Sequence, residues 1–282
     1  MSKRKYLLIG DSTLDFDAKL NEWLGIRVAP MSAMIDGELF IDDESIDKDR
    51  FIDRLVHCKE VPKTSAPSPG QYLELMEEAE EGVFIITVSS RLSASYNSAI
   101  IAKDMAAEMY PGLKVHVIDS LAASAGQTTV AIKIGECIDA GLSFEEIAAA
   151  AEDFRDHDKL YFLLDNLEIL IKNGRMSLLK GMIAMLLKIK PILGDDGDGN
   201  ICLEAKSLTY AKGLRKLADM VISTPLKTEE RTLVISHCLA EQQALRLKEQ
   251  ISAARKFKNV LIIPMRAMTT LYGNIGGLVC AF

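Results

Sequence analysis

Along the chain, short apolar runs alternate with longer stretches whose apolar residues recur at helical spacing. Tyr6–Ile9 reads as a first strand that ends in Gly10-Asp11-Ser12-Thr13, and Asp15–Leu24 as the helix behind it. Arg27–Met34 reads as a second strand, Asp36-Gly37 as a turn, and Glu38–Ile41 as its short return. Ser45–Cys58 is a helix and Val61–Gly70, VPKTSAPSPG, a loop. Ser68-Pro69 closes that loop as an N-cap followed by proline at the first helical position, opening a helix through Ala79. Phe84–Val88 is a β-branched apolar run of the kind buried on both faces of a sheet. It is followed by the hydroxyl-rich Ser89–Ser95 and a helix from Tyr96 to Met109. Lys114–Ile118 is a strand ending in Asp119-Ser120, and Ala123–Ala140 a helix that Gly141 terminates. Ser143-Phe144-Glu145-Glu146 is a capping box for a helix to Asp156.

The pattern then changes. Leu160–Leu164 is a strand, Leu167–Lys172 a short helix ending in Asn173-Gly174-Arg175, and Ser177–Leu187 a helical stretch rich in Met and Leu. Lys190-Pro191-Ile192-Leu193 leads into the hairpin turn DDGDGN, with Ile201–Lys206 as its return strand. Tyr210–Ile222, Thr232–Ser236, Ala240–Ala254 and Asn259–Pro264 continue as helix, strand, helix, strand, and the chain ends in YGNIGGLVCAF. The first half therefore predicts an α/β domain with a mostly parallel sheet covered on both faces. The second half, with its hairpin, predicts an α+β domain with a mixed sheet. The expected division is 1–157 and 158–282.

Four segments of the first half end in small polar residues: Asp11-Ser12-Thr13, Thr64-Ser65, Ser89-Ser90 and Asp119-Ser120. Open parallel sheets bind ligands outside the carboxyl ends of their strands. If these ends converge, they line one polar crevice. The stretch from Ser89 to Ser95 holds more serines than a helix cap needs, and hydroxyls beside unpaired backbone N–H groups suit an anionic oxygen.

Composition narrows the function. A net charge of −7 argues against general nucleic-acid binding and against an anionic membrane surface. Cys58, Cys137, Cys202, Cys238 and Cys280 are odd in number and widely spaced, as expected of free thiols in a reducing cytoplasm rather than a disulfide framework or zinc site. The basic start before Tyr6 is followed by too short an apolar run for a signal peptide, and no run is long enough to span a membrane.

Catalytic motifs are sparse. The histidines are His57, His116, His157 and His237, and no G-x-S-x-G elbow accompanies them. No G-x-G-x-x-G is present, and DDGDGN lacks the spacing and terminal glutamate of an EF-hand. Arg175 sits on a tight turn, either as a surface charge or as a cation for an anionic ligand or a partner protein. The Met182–Leu187 run reads as core, and its methionines also suit a flexible apolar cavity.

Six motifs in order resemble the DegV family of bacterial fatty-acid-binding proteins. They are Gly10-Asp11-Ser12-Thr13; Thr64-Ser65-Ala66-Pro67-Ser68-Pro69; Ser89-Ser90-Arg91-Leu92-Ser93-Ala94-Ser95-Tyr96; Val117-Ile118-Asp119-Ser120; Leu167 with Asn173-Gly174-Arg175; and Lys190-Pro191-Ile192-Leu193. The resemblance implies a DegV-like two-domain α/β fold, with a Rossmann-like parallel-sheet domain and a smaller α/β domain with a mixed sheet. It implies one long-chain fatty acid as ligand, no cofactor and no metal, and a separate acyl kinase to which the carboxylate is presented. It places the head group near Thr64, Ser65, Ser90 and Ser93, with Arg175 as the cation. The tail is expected to run between the helix from Tyr96 and the Met182–Leu187 segment. The family's C-terminal H-x-G-P-G has no histidine counterpart in Thr269–Gly277, TTLYGNIGG, and an arginine often found after the hairpin is replaced around Ser207-Leu208. The rival reading is a serine hydrolase or transferase acting on a small anion in the interdomain crevice, and a third is a module that only binds a partner protein.

Overall fold

The computed structural model describes residues 5–282; the basic start at 1–4 lies outside them. The elements in chain order begin with β1 (Leu7–Asp11), α1 (Ala18–Leu24), β2 (Arg27–Ala29), β3 (Ser32–Ile35), β4 (Glu38–Ile41), α2 (Lys48–His57), β5 (Lys63–Ser65) and α3 (Pro69–Met76). Next come β6 (Gly82–Thr87), α4 (Ser95–Met109), β7 (Lys114–Asp119), α5 (Ala125–Asp139) and α6 (Phe144–Asp156). The remainder is β8 (Leu160–Leu163), α7 (Glu168–Lys172), a 3₁₀ turn (Ser177–Met182), α8 (Ile183–Leu186), β9 (Ile192–Asp195), β10 (Ile201–Ala205), α9 (Tyr210–Ile222), β11 (Thr232–His237), α10 (Glu241–Ala254), β12 (Asn259–Pro264), α11 (Ala267–Gly273) and β13 (Leu278–Ala281).

The first half forms a parallel sheet in the order β2-β1-β6-β7. Strand β6 is buried along its whole length, which its unbroken apolar run demands of a central strand. Helices α3 and α4 cover one face through Tyr72, Met76, Ala99 and Ala102. Helix α5 covers the other, and so do Phe84, Tyr6 and Phe144, whose rings meet edge-on and stacked. The second half forms a mixed sheet in the order β10-β9-β8-β13-β11-β12, antiparallel except for β11 with β12.

Three local expectations are corrected, and the C-terminal segment, to which the sequence assigns no element, gains two. The expected strand Arg27–Met34 is broken at Pro30-Met31 into β2 and β3, which belong to different sheets; proline offers no ladder donor. The expected loop Val61–Gly70 contains β5, which pairs with β3 to make a third sheet, β4-β3-β5, wholly antiparallel. Ser177–Leu187 is not one helix but a 3₁₀ turn followed by α8, with Met182 and Leu187 exposed. The C-terminal segment holds a helix, α11, and then β13, inserted antiparallel between β8 and β11. Caps match the sequence more closely: Ser68 and Ser143 both form capping boxes.

Candidate functional site

The polar ends of the first half do converge, and a buried carboxylate organises them. Asp11 accepts hydrogen bonds from Val88 N (2.8 Å), Ser95 Oγ (2.5 Å) and Gln127 Nε2 (3.1 Å). Thr13 Oγ1 stands 2.5 Å from Asp11 Oδ1 and 2.7 Å from Gln127 Oε1, with one proton for the two acceptors. Through Asp11 the ends of β1 and β6 and the starts of α4 and α5 are held in one arrangement. Ser95 Oγ also meets the buried Tyr72 hydroxyl at 2.7 Å, and burial beside Asp11 pushes that phenol well above its ordinary pKa. Ser95 therefore serves Asp11 rather than capping α4, which has no side-chain cap. Ser93 lies just outside this knot, and its Oγ accepts from Ser95 N at 3.2 Å.

Above these ends lies a cavity of about 230 Å³. Its apolar walls are Phe162, Ile201 and Val279 from the mixed sheet, Leu164 just past the end of β8, and Met265 and Met268 from the segment before and within α11. The expected walls, the helix from Tyr96 and Met182–Leu187, do not line it; α4 instead packs its small residues against the parallel sheet, and the short α8 buries Leu186 in the same core cluster as Phe162 and Leu164 without lining the cavity itself. The hairpin turn does contribute, through Asp195, Gly199 and Asn200. Gly199 has φ +83°, and a Cβ there would stand 2.4 Å from Ser89 Oγ. Only glycine lets this turn approach closely enough for Ser89 Oγ to donate to Gly199 O at 2.8 Å.

Thr64, Ser93 and Arg175 line the cavity, as do Thr13, Ser124, Thr269 and Tyr272. Ser65 and Ser90 are exposed and do not. Strand geometry explains the split of the Thr64-Ser65 pair: neighbours on β5 face opposite sides. Thr64 pairs with the buried Ala33, while Ser65 shares the outer face with Met34 and Ile41. Ser90 uses its backbone N–H to bind Asp119 Oδ1 at 3.1 Å.

Thr64 Oγ1 lies 2.7 Å from the hydroxyl of Tyr272. Arg175 spans the same region. Its Nε donates to Leu92 O at 3.2 Å, its Nη1 donates to Asn173 O, and its guanidinium carbon stands 6.0 Å from the Tyr272 ring centre. Asn173 Nδ2 reaches back to Pro62 O at 3.0 Å. The Asn173-Gly174-Arg175 turn thus ties the segment carrying Thr64 to the loop carrying Ser93. Tyr272 was missed in the sequence, although it stands in the very segment noted for its lack of histidine; a phenol offers a hydroxyl donor there.

A second set of buried carboxylates fixes α11. Asp15 Oδ1 accepts from Arg266 N (2.8 Å) and Thr269 Oγ1 (2.7 Å), and Oδ2 from Ser124 Oγ (2.5 Å). Burial raises the Asp15 carboxyl to about 6 against the lowering effect of those donors. Asp42 accepts from Met268 N at 2.8 Å and lies 3.6 Å from the Arg266 guanidinium; burial raises its pKa too.

His237 is buried, its Nδ1 accepts from Ala240 N at 3.3 Å, and it does not line the cavity. Among the described residues no group of three or more His, Cys, Asp or Glu is placed to hold a metal ion, and no helix is long and apolar enough to cross a membrane. The five cysteines are free.

Known proteins share this architecture. A family model described as "Uncharacterised protein, DegV family" matches residues 5–278. A DegV domain-containing protein of Streptococcus pneumoniae is 30% identical over 253 residues, covering 90% of this chain and 89% of its own. A DegV family protein from Ruminococcus gnavus, solved with vaccenic acid, superimposes with a TM-score of 0.94 at 31% identity over 100% of both chains. The Fatty Acid Kinase (Fak) B3 protein of Streptococcus pneumoniae, loaded with linoleic acid, gives 0.88 at 28% identity over 98% of each chain. With its two-domain α/β architecture and the family match over nearly its whole length, the chain belongs to the DegV family.

Proposed function

We propose that this protein binds one long-chain fatty acid and presents its carboxylate to a separate acyl kinase, in the cytoplasm and without chemistry of its own. The observation that carries the reading is the mismatch within one cavity: aliphatic and aromatic walls along most of it, and Thr64, Ser93, Tyr272 and Arg175 gathered at one region. An alkyl chain gains about 0.8 kcal/mol for each methylene it buries. The tail supplies affinity, and the hydroxyls need only satisfy the carboxylate's acceptors. No general base is required for holding an acid in place. Relatives solved with vaccenic and linoleic acids support the ligand class, and the kinase-associated naming of one of them supports the partner.

In this reading the domains divide at 157/158, the first supplying Thr64 and Ser93 and the second Arg175, Tyr272 and most of the tail's walls. Ser65 and Ser90 stay outside the head-group set. Displacement of a fluorescent fatty acid by oleate, methyl oleate and octadecane tests the arrangement. Oleate should compete best, the ester should lose the charge-assisted part of the affinity, and the alkane should compete weakly. Equal competition by all three would remove the carboxylate site from the account.

A further inference from the structure

The apolar wall of the cavity carries one carboxyl. Residues that pair across antiparallel strands face the same side of a sheet, and so do residues two apart on one strand. Phe162 pairs with Leu193 and with Val279, and Ile201 pairs with Asp195. Phe162, Val279 and Ile201 are cavity walls, and Asp195 lines the cavity with them. Two residues from Leu193 and opposite Ile201, the Asp195 side chain faces that same side.

Register gives its place along the cavity. Gly194 pairs with Tyr161, which sets Asp195 level with Leu160 at the start of β8. The head-group residues gather at the other end of that strand. Leu278 pairs with Leu163, a Cβ on Gly276 would stand 3.7 Å from Asp165 Cβ, and one on Gly277 would stand 2.3 Å from Gly273 O. These contacts bring the end of α11 to the Leu164 end, and Tyr272 brings Thr64 and Arg175 with it. Leu160, Phe162 and Leu164 all line the cavity and span about 13 Å at the usual rise of a strand. A tail whose carboxylate lies at Tyr272 therefore runs along β8 toward Asp195.

Asp195 has capacity to spare. Gly197 N donates to its Oδ1 at 2.9 Å in the hairpin turn, and among the described residues no side chain donates to it. Burial raises the carboxyl above its ordinary pKa and Asp196 adds to the rise, while the Gly197 amide and the Lys159 charge oppose it. The buried Asp158, whose own carboxyl Asp195 helps to raise, is a further like charge.

We propose that Asp195 sets specificity at the far end of the cavity, selecting a long-chain fatty acid that carries a hydroxyl toward its methyl end. The inference rests on the carrier reading and narrows its ligand. A hydroxyl suits Asp195 in either protonation state: it donates to the carboxylate and accepts from the acid. A keto group accepts from the acid alone, and a second carboxylate meets an ionised Asp195 with like charge. A bare methyl end covers the carboxyl and leaves it a partner short, so plain acids bind more weakly.

Titration of the ligand-stripped full chain with stearate and with 2-, 12- and 18-hydroxystearate tests this. The 12- or the 18-hydroxy acid should bind about tenfold more tightly than stearate, and the 2-hydroxy acid, whose hydroxyl lies at the head group, should gain nothing. Asp195→Leu should reverse the order, tightening stearate and weakening the favoured hydroxy acid. Asp195→Asn can still accept from Gly197 N and should keep the preference. Should the leucine variant not fold, a crystal structure of the wild type with the favoured acid decides: its hydroxyl should lie within hydrogen-bond distance of the Asp195 carboxyl. Stearate binding as tightly as both the 12- and 18-hydroxy acids, a preference that survives Asp195→Leu, or a hydroxyl bonded elsewhere overturns the proposal. Stearate bound without that preference leaves the carrier reading standing, whereas no acid bound at all removes both.

Discussion

The hydroxyls of Thr64 and Tyr272 meet at 2.7 Å across 208 positions of sequence, joining β5 to α11 over the polar region of the cavity. Neither residue is exposed, and each faces the cavity rather than solvent. Thr64→Val keeps the shape of the side chain and removes the hydroxyl, leaving Tyr272 and the ligand one polar partner short. We expect oleate affinity to fall by about 1–3 kcal/mol, the cost of an unsatisfied buried polar group. Ser65→Ala, one residue on and facing outward, should leave the titration unchanged. Equal losses in the two variants would refute the facing of β5.

Arg175 is the second target. Arg175→Ala releases Leu92 O and the Tyr272 ring together, loosening the loop that carries Ser93. Affinity for oleate should drop, and Arg175→Lys should restore little of it, because an ammonium cannot reproduce the planar fork or its placement over the ring. Calorimetric titration of both variants decides it: full rescue by lysine would mean that only charge matters, and no loss in either would return Arg175 to the surface-charge reading.

The parts of this site that sequence made legible are those whose residue types announce a local role. The hydroxyl-rich loop after β6, the Asn173-Gly174-Arg175 turn and the hairpin at Asp195–Asn200 all follow from turn and cap chemistry. β5 was not legible, because Lys63-Thr64-Ser65 is short, polar and flanked by Pro62 and Pro67. Its pairing with β3 is a tertiary fact, and only that pairing tells Thr64 from Ser65. Asp15 and Thr269 lie 254 positions apart, and neither carries a motif that predicts their meeting. The Ser124 backbone, at φ 57°, is likewise invisible in sequence, since nothing local demands a positive φ at a serine.

Stability should carry the mark of Asp158, which follows the last helix of the first half. It accepts from Thr129 Oγ1 (2.7 Å) and Lys159 N (2.9 Å), with Arg231 at 4.0 Å. Burial lifts its carboxyl from 3.8 to about 7. A carboxyl with a raised folded-state pKa binds more protons folded than unfolded, so its contribution to stability is greatest at low pH and falls as pH rises through that interval. Asp158→Asn, which stays neutral, should therefore gain stability relative to the wild type between pH 5 and pH 8. Urea unfolding at the two values measures it; a constant difference would mean that Asp158 is ionised throughout.

Tail length should be read by the walls from the mixed sheet. Affinity for saturated acids should rise by about 0.8 kcal/mol per methylene until the cavity is full, then fall as extra atoms meet a packed interior. Val279→Phe adds bulk to a wall residue of β13 and should move the optimum to shorter acids. A steady rise with no maximum would describe an open groove instead.

The central claim is that the cavity is a binding site for a single long-chain fatty acid. Native mass spectrometry of the full chain purified from a bacterial host tests it most directly, followed by release and identification of whatever small molecule accompanies the protein. The account predicts one non-covalent fatty acid per chain, exchangeable for added oleate. A protein that arrives empty and takes up no added long-chain acid would contradict it.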